Sequence, residues 1–151
     1  MALFLVQHGK NVSKEIDPDK GLSDEGIREV ENIAATARAH RIVVASVKHS
    51  GKKRAKQTAE IFDRALGSRG GVEEMEGLGP LDDVAALDLE NLQDAMIVGH
   101  LPFMEKLVAH LVAGDAGKAP VFKFQNGGIV CLKHDKENGW YITWSLMPHI
   151  D

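Results

Sequence analysis

Short unbroken apolar runs alternate along the chain with stretches in which apolar residues recur every three or four positions. Leu3-Phe4-Leu5-Val6 runs straight into Gln7-His8-Gly9, which predicts a buried strand entering a turn. A polar loop from Lys10 to Gly21, containing Pro18, follows. Ser23 is placed to cap a helix, and Asp24 and Glu25 fall in its first turn, where the positive end of the helix dipole favours carboxylates. Ile27, Val30, Ile33, Ala34 and Ala37 then mark one helical face. Ile42 to Ser46 reads as a second strand from its β-branched content. Ser50-Gly51 opens a second helix with the stripe Ala55, Ala59, Phe62 and Leu66, stopped by Gly67 and Gly70-Gly71. Val72 to Glu76 is a short strand, and Val84, Leu87 and Leu92 outline a weaker third helix within Pro80 to Leu92.

Ala95 to Val98 is another strand, bounded by Gly99-His100. Pro102 stands where a first helical turn tolerates proline, and Met104, Leu107, Val108, Leu111 and Val112 carry that helix to Gly114. Gly128 to Lys133 and Trp140 to Trp144 are the last strands, joined as a hairpin across Asp135-Asn138-Gly139. Strict alternation sets Trp140 and Trp144 on one face, with core packing as their role. Strand and helix alternate, which is the pattern of an α/β protein with a mainly parallel sheet. Ligands of such sheets collect at the carboxyl ends of the strands. That rule selects Gln7-His8-Gly9, the loop from Ser46 to Arg54, and Gly99-His100.

Composition narrows the class. The 151 residues are 44% hydrophobic and 26% charged, ordinary values for a folded domain, so residues 1–151 are expected to form a single domain. Disorder, collagen and coiled coil are disfavoured. No apolar run approaches the roughly 20 residues of a membrane helix, and the N-terminus lacks the basic start of a secretory signal. A single cysteine, Cys131, permits neither an internal disulfide nor a cysteine zinc cage, and suits a reducing cytoplasm. The net charge of −4 speaks against a nucleic-acid binder. Between Asn32 and Ala59, however, there is no acid, while Arg38, Arg41, Lys48, Lys52, Lys53, Arg54 and Lys56 all occur. Such a stretch is either a solvated helix face or a positive field for a small anion.

Chemistry concentrates at the three strand ends. His8 and His100 each follow a strand directly, and Arg54 lies in the first turn of the helix after the second strand. A guanidinium forks onto two phosphate oxygens, helix starts add N–H donors, and an imidazole can attack phosphorus and carry the phosphoryl group. Taken singly, each residue has a plainer role as a cap, a hydrogen-bonding partner or a solvated charge. Two histidines also invite a zinc site, but no third ligand stands at motif spacing.

Four stretches in order resemble the histidine phosphatase superfamily, also called phosphoglycerate-mutase-like. Leu5-Val6-Gln7-His8-Gly9 is similar to Leu-Val-Arg-His-Gly, and Gly21-Leu22-Ser23-Asp24-Glu25-Gly26 to Pro-Leu-Thr-x-x-Gly. Ser50 to Ala59 is similar to Ser-Pro-x-x-Arg-Ala-x-Gln-Thr-Ala, and Val98 to Pro102 to Val-Gly-His-Asn-Pro. The resemblance spans nearly the whole chain, and Leu78-x-Pro80-x-x-Asp83 points to the short, SixA-like phosphohistidine phosphatase branch. It implies a three-layer α/β/α sandwich with a mainly parallel central sheet. It also implies a metal-independent phosphatase with no cofactor. His8 would be the nucleophile, Arg54 and His100 phosphate binders, and Asp83 the acid, with helix-dipole stabilisation as the alternative role for Asp83.

Position 7 departs from the pattern. The family motif has arginine, and Gln7 offers only a neutral amide, a loss that could cost on the order of 3 kcal/mol in the transition state. Lys10, Asn11, Lys52 and Lys53 are candidates to reach the phosphate instead, with Lys52 or Lys10 favoured. The expected substrate is a phosphorylated small molecule or a phosphohistidine-bearing protein, with neither nucleic acid nor membrane as partner. The alternative is a catalytically weakened phosphate- or phosphoprotein-binding module. A mutase fits less well, because the chain is short for the lid that would exclude water.

Overall fold

The computed structural model describes residues 1–150. Its strands are β1 (Ala2–Gln7), β2 (Ser46–His49), β3 (Val72–Glu74), β4 (Ala95–Gly99), β5 (Ile129–Asp135) and β6 (Gly139–Leu146). Its helices are α1 (Asp24–Ala39), α2 (Lys53–Leu66) and α3 (Phe103–Ala113). The strands form one sheet in the order β3-β2-β4-β1-β5-β6. Neighbours from β3 to β1 are parallel, and β5 and β6 add an antiparallel edge. The α/β expectation therefore holds, with a mixed sheet.

Alternation along the strands builds two cores. Phe4, Val6, Met96 and Val98 face α1 and α2, meeting Val30, Ile33, Ala55 and Phe62. Leu3, Leu5 and Ile97 face the other way, onto Phe103, Leu107 and Val108 of α3. Both faces are covered, which is why β1 and β4 read as unbroken apolar runs. Ser23 caps α1 as expected, its hydroxyl accepting from Gly26 N at 3.0 Å, and α2 and α3 end at Gly67 and Gly114.

Three expectations need correction. The second strand begins at Ser46, where the β-branched run ends. Ile42 N still donates to Ala37 O at the end of α1, and Val43 is 80% exposed. The run is used in leaving the helix. Within β2 only Val47 is an apolar core residue, while Lys48 pairs across to Glu73 of β3 at 2.6 Å. The third helix pattern becomes two 3-10 turns, Val84–Ala86 and Leu89–Leu92. Asp83 caps the first through Ala85 N at 2.9 Å, and Asp88 stands between the two; short acidic side chains of this kind draw local backbone away from a continuous helix.

The tryptophans lie on opposite faces. In the β5–β6 hairpin Cys131 pairs with Trp144 but Leu132 pairs with Ile142, leaving Thr143 as an extra residue. The bulge inverts the alternation. Trp144 packs on the α1–α2 side beside Phe4, ring centroids 6.1 Å apart, and Trp140 packs on the α3 side. The hairpin turn itself is as expected, with Asn138 N donating to Asp135 Oδ1 at 2.7 Å.

Candidate active site

Parallel pairing of β1 with β4 sets Gln7 opposite Gly99. The next residue on each strand is a histidine, so His8 and His100 emerge side by side, ring centroids 5.0 Å apart and inclined at 50°. His8 N donates to Gly99 O at 3.0 Å, carrying the ladder one residue further. On the other side of β4, β2 delivers Ser50, whose hydroxyl lies 2.6 Å from His100 Nε2.

The protonation of His8 follows from its partners. Its Nδ1 lies 2.7 Å from Gly9 O. A carbonyl can only accept, so Nδ1 holds the hydrogen and Nε2 keeps its lone pair. Burial lowers the pKa to about 4; the Gly9 bond opposes this, and the Arg54 charge adds to it. His100 is lowered further, to about 3, by burial first and then by His8, Arg54 and Lys52. Both rings are thus neutral near pH 7. Arg54 acts on both rings, and His8 and Lys52 act on His100 as well; no carboxylate among the described residues is one of these causes.

Arg54 is half-buried in the first turn of α2, and desolvation pulls its pKa down from an ordinary guanidinium value. Among the described residues no carboxylate pairs with Arg54 or with Lys52. Lys52 occupies the N-cap position of α2 and makes no side-chain cap; Ala55 N and Lys56 N donate to Lys52 O, which leaves the N–H groups of Lys53 and Arg54 for an anion. Two buried polar atoms of these strand-end residues, Gln7 Oε1 and His100 Nδ1, have no hydrogen-bond partner among the described residues.

Other anticipated residues have partners of their own. Lys10 Nζ sits 3.0 Å from Glu25 and 3.8 Å from Glu29 on α1, and Lys53 is held by Asp17 at 2.7 Å. Asn11 donates to Val12 O at 2.9 Å. Asp82 and Asp83 accept from Gly79 N and Ala85 N of their own loop. No group of three or more His, Cys, Asp or Glu among the described residues is placed to hold a metal ion.

Three supporting residues have no role legible in the sequence. Thr58, fully buried on α2, accepts from Gly9 N at 2.9 Å and donates to Arg54 O at 2.7 Å. It ties the turn after His8 to the helix that carries Arg54. Asn126 donates from its side chain to His8 O at 2.9 Å, and Ser50 meets His100. Thr58 and Ser50 lay within a family-like stretch, whereas Asn126 carried no signal beyond a turn-like Asn-Gly-Gly.

A fold of this kind with two neutral histidines facing an unpaired arginine defines a class. A model of the histidine phosphatase superfamily (branch 1) matches residues 3–92, and the chain belongs to that superfamily. The activity that goes with this membership is phosphatase chemistry, and the binding-module alternative is not favoured. The chain is 25% identical to the phosphohistidine phosphatase SixA of Escherichia coli strain K12, over 98% of this chain and 94% of that one. A structure of the protein histidine phosphatase SixA complexed with tungstate shares 25% identity at a TM-score of 0.82, covering 98% of this chain and 97% of that one. A mycobacterial glucosyl-3-phosphoglycerate phosphatase complexed with VO3, 15% identical, shares the fold at a TM-score of 0.74 over 95% of this chain and 98% of that one.

Proposed function

We propose that this chain hydrolyses phosphohistidine carried on a protein, or a small phosphate ester with a good leaving group, through a phosphohistidine formed on His8. The bond from His8 Nδ1 to Gly9 O carries this reading, because it presents Nε2 as an unprotonated nucleophile. Nε2 attacks phosphorus in line, forming the P–N bond as the bond to the leaving group breaks and its electron pair departs with that group. Water then attacks phosphorus, the P–Nε2 bond breaks, its electrons return to the imidazole, and orthophosphate leaves with the water's proton released to solvent. Arg54, His100, Gln7, Lys52 and the first N–H groups of α2 hold the non-bridging oxygens.

The preference for phosphohistidine rests on the observation that no carboxylate among the described residues acts on either ring. A poor leaving group such as an alkoxide needs a proton from an acid, whereas the nitrogen of a phosphoramidate takes one from water with little help. Asp83 stays a candidate acid only for esters. A cytoplasmic setting, with residues 1–151 acting as one domain, accords with the single buried thiol of Cys131 and with the place of β1 between β4 and β5. No helix among the described residues is long and apolar enough to cross a membrane.

The test is metal-free hydrolysis of an aryl phosphate, a phosphohistidine protein and glycerol phosphate, with wild type and His8→Ala in parallel. Turnover of the first two substrates, abolished in the variant, is expected, with acid-labile label trapped on wild type alone. Glycerol phosphate turned over as fast as the phosphohistidine protein would remove the leaving-group argument. Asp83→Asn is expected to leave the phosphohistidine rate unchanged.

A further inference from the structure

The antiparallel partner of β1 runs out before the nucleophile. The β1–β5 ladder reaches Val6 opposite Ile129 and stops, since β5 begins there. At Gln7 and His8 the missing bonds come from a loop instead. Gly127 N donates to Gln7 O at 2.8 Å, and Asn126 Nδ2 donates to His8 O at 2.9 Å. A loop without regular structure must itself be held if it is to hold anything.

The segment after β6 does this. Gln125 makes two side-chain bonds to the backbone of His149, donating to its O and accepting from its N, both at 2.9 Å. Met147 packs directly on Gly128. The ring of His149 reaches Glu29 on α1, Nε2 to Oε2 at 2.5 Å, and the Glu29 side chain is only 13% exposed. Val30, the next residue of α1, lies against both Gly9 and Gly127. One short stretch of chain thus ties α1 to the loop 125–128, and Val30 of α1 and Asn126 of the loop in turn meet the backbone at Gly9 and His8.

Building on the phosphatase reading above, we propose that Met147–His149 is a positioning strap for the nucleophile, with Gln125 and His149 as positioning residues that act on His8 through Asn126 and Gly127. None of them needs to touch the substrate. Phosphoryl transfer depends steeply on nucleophile placement, whereas oxyanion binding by Arg54 and the start of α2 does not use the strap. Loss of the strap therefore acts on kcat and spares affinity for an oxyanion.

The experiment compares wild type, Gln125→Ala, a chain ending at Met147, and the two changes combined. Readouts are aryl phosphate turnover, inhibition by tungstate, and amide exchange at Gly127. Gln125→Ala and the truncation are each expected to lower kcat about tenfold, with tungstate inhibition within about twofold of wild type. The combined variant should be no slower than the truncation alone, since the truncation already removes the His149 backbone that Gln125 holds. His149→Ala keeps the backbone bonds to Gln125 but loses the ring contact to Glu29, so its kcat should fall between those of wild type and the truncation. Exchange at Gly127 should quicken in both single variants. Unchanged kcat, losses that multiply, or an equal fall in tungstate affinity would overturn the strap. If the truncated chain does not fold, Gln125→Ala decides alone through kcat and exchange. If wild type itself turns over no substrate, the phosphatase reading fails, while unaltered Gly127 exchange in Gln125→Ala would still refute the strap independently.

Discussion

His8 and His100 are held neutral by burial, and that has a consequence for stability. Their ordinary value is 6.5, against about 4 and about 3 in the fold. An unfolded chain takes up protons at both rings below about pH 6.5, and the folded chain does so only near the lower values. Stability is therefore full above the unfolded value and falls as pH drops from about 6.5 toward 3. Urea unfolding from pH 7 to pH 4 should show this slope, and it should shrink in His8→Gln. The two favoured lysines also separate at this scale. Lys10 is engaged by Glu25, whereas no carboxylate among the described residues pairs with Lys52, and its charge reaches His100. Lys52→Ala should weaken orthophosphate inhibition by about three- to tenfold, the range of a partly solvated charge-assisted bond. Lys10→Ala should change it little. Equal effects in both would return Lys52 to the class of solvated surface charges.

Helices and strands hold these residues through a few close approaches. Gly26 is a helical glycine, and replacing such a residue with alanine ordinarily stabilises by about 1 kcal/mol. Here a Cβ would strike the Lys10 carbonyl directly, so the sign reverses. Gly26→Ala should lower Tm, at a cost of about 1–3 kcal/mol, typical of overpacking. Thr58→Val keeps the shape but strands the Gly9 N–H, a loss of about 1–3 kcal/mol. Turnover should fall with it, because the turn after His8 loses its tie to α2. Denaturant titration beside steady-state rates checks both effects. The bulge at Thr143 makes a third case. The sequence pattern of β6 alternates without interruption, and only pairing with β5 reveals where the extra residue sits. Deleting Thr143 would leave Trp140 opposite His134 and Trp144 opposite Cys131 on an unbroken ladder, so both rings should keep their faces and near-UV circular dichroism should change little.

At the scale of the whole molecule, local pattern and tertiary arrangement divide the work along physical lines. Apolar periodicity determined β1, α1, α2, β4, α3 and the final hairpin, because each element buries one face or both and its residues record that burial. Helix ends were legible too, since Ser23, Gly67 and Gly114 act on their own backbone. The histidine and arginine pattern pointed to phosphate chemistry, and family-like spacing identified His8, Arg54 and His100 as its candidates. Parallel strands then brought His8 and His100 to 5.0 Å, although 92 positions separate them in the chain. What no local pattern could show was the start of β2, whose apolar neighbours in the sheet replace apolar content of its own. Nor could it show the faces of the two tryptophans, which depend on a register set by another strand. The pairing of Lys10 with Glu25 and the hold of Gln125, Asn126 and His149 around the nucleophile are likewise decided by residues distant in sequence. Periodicity records which face of an element is buried; it carries no information about which distant polar group will meet it there.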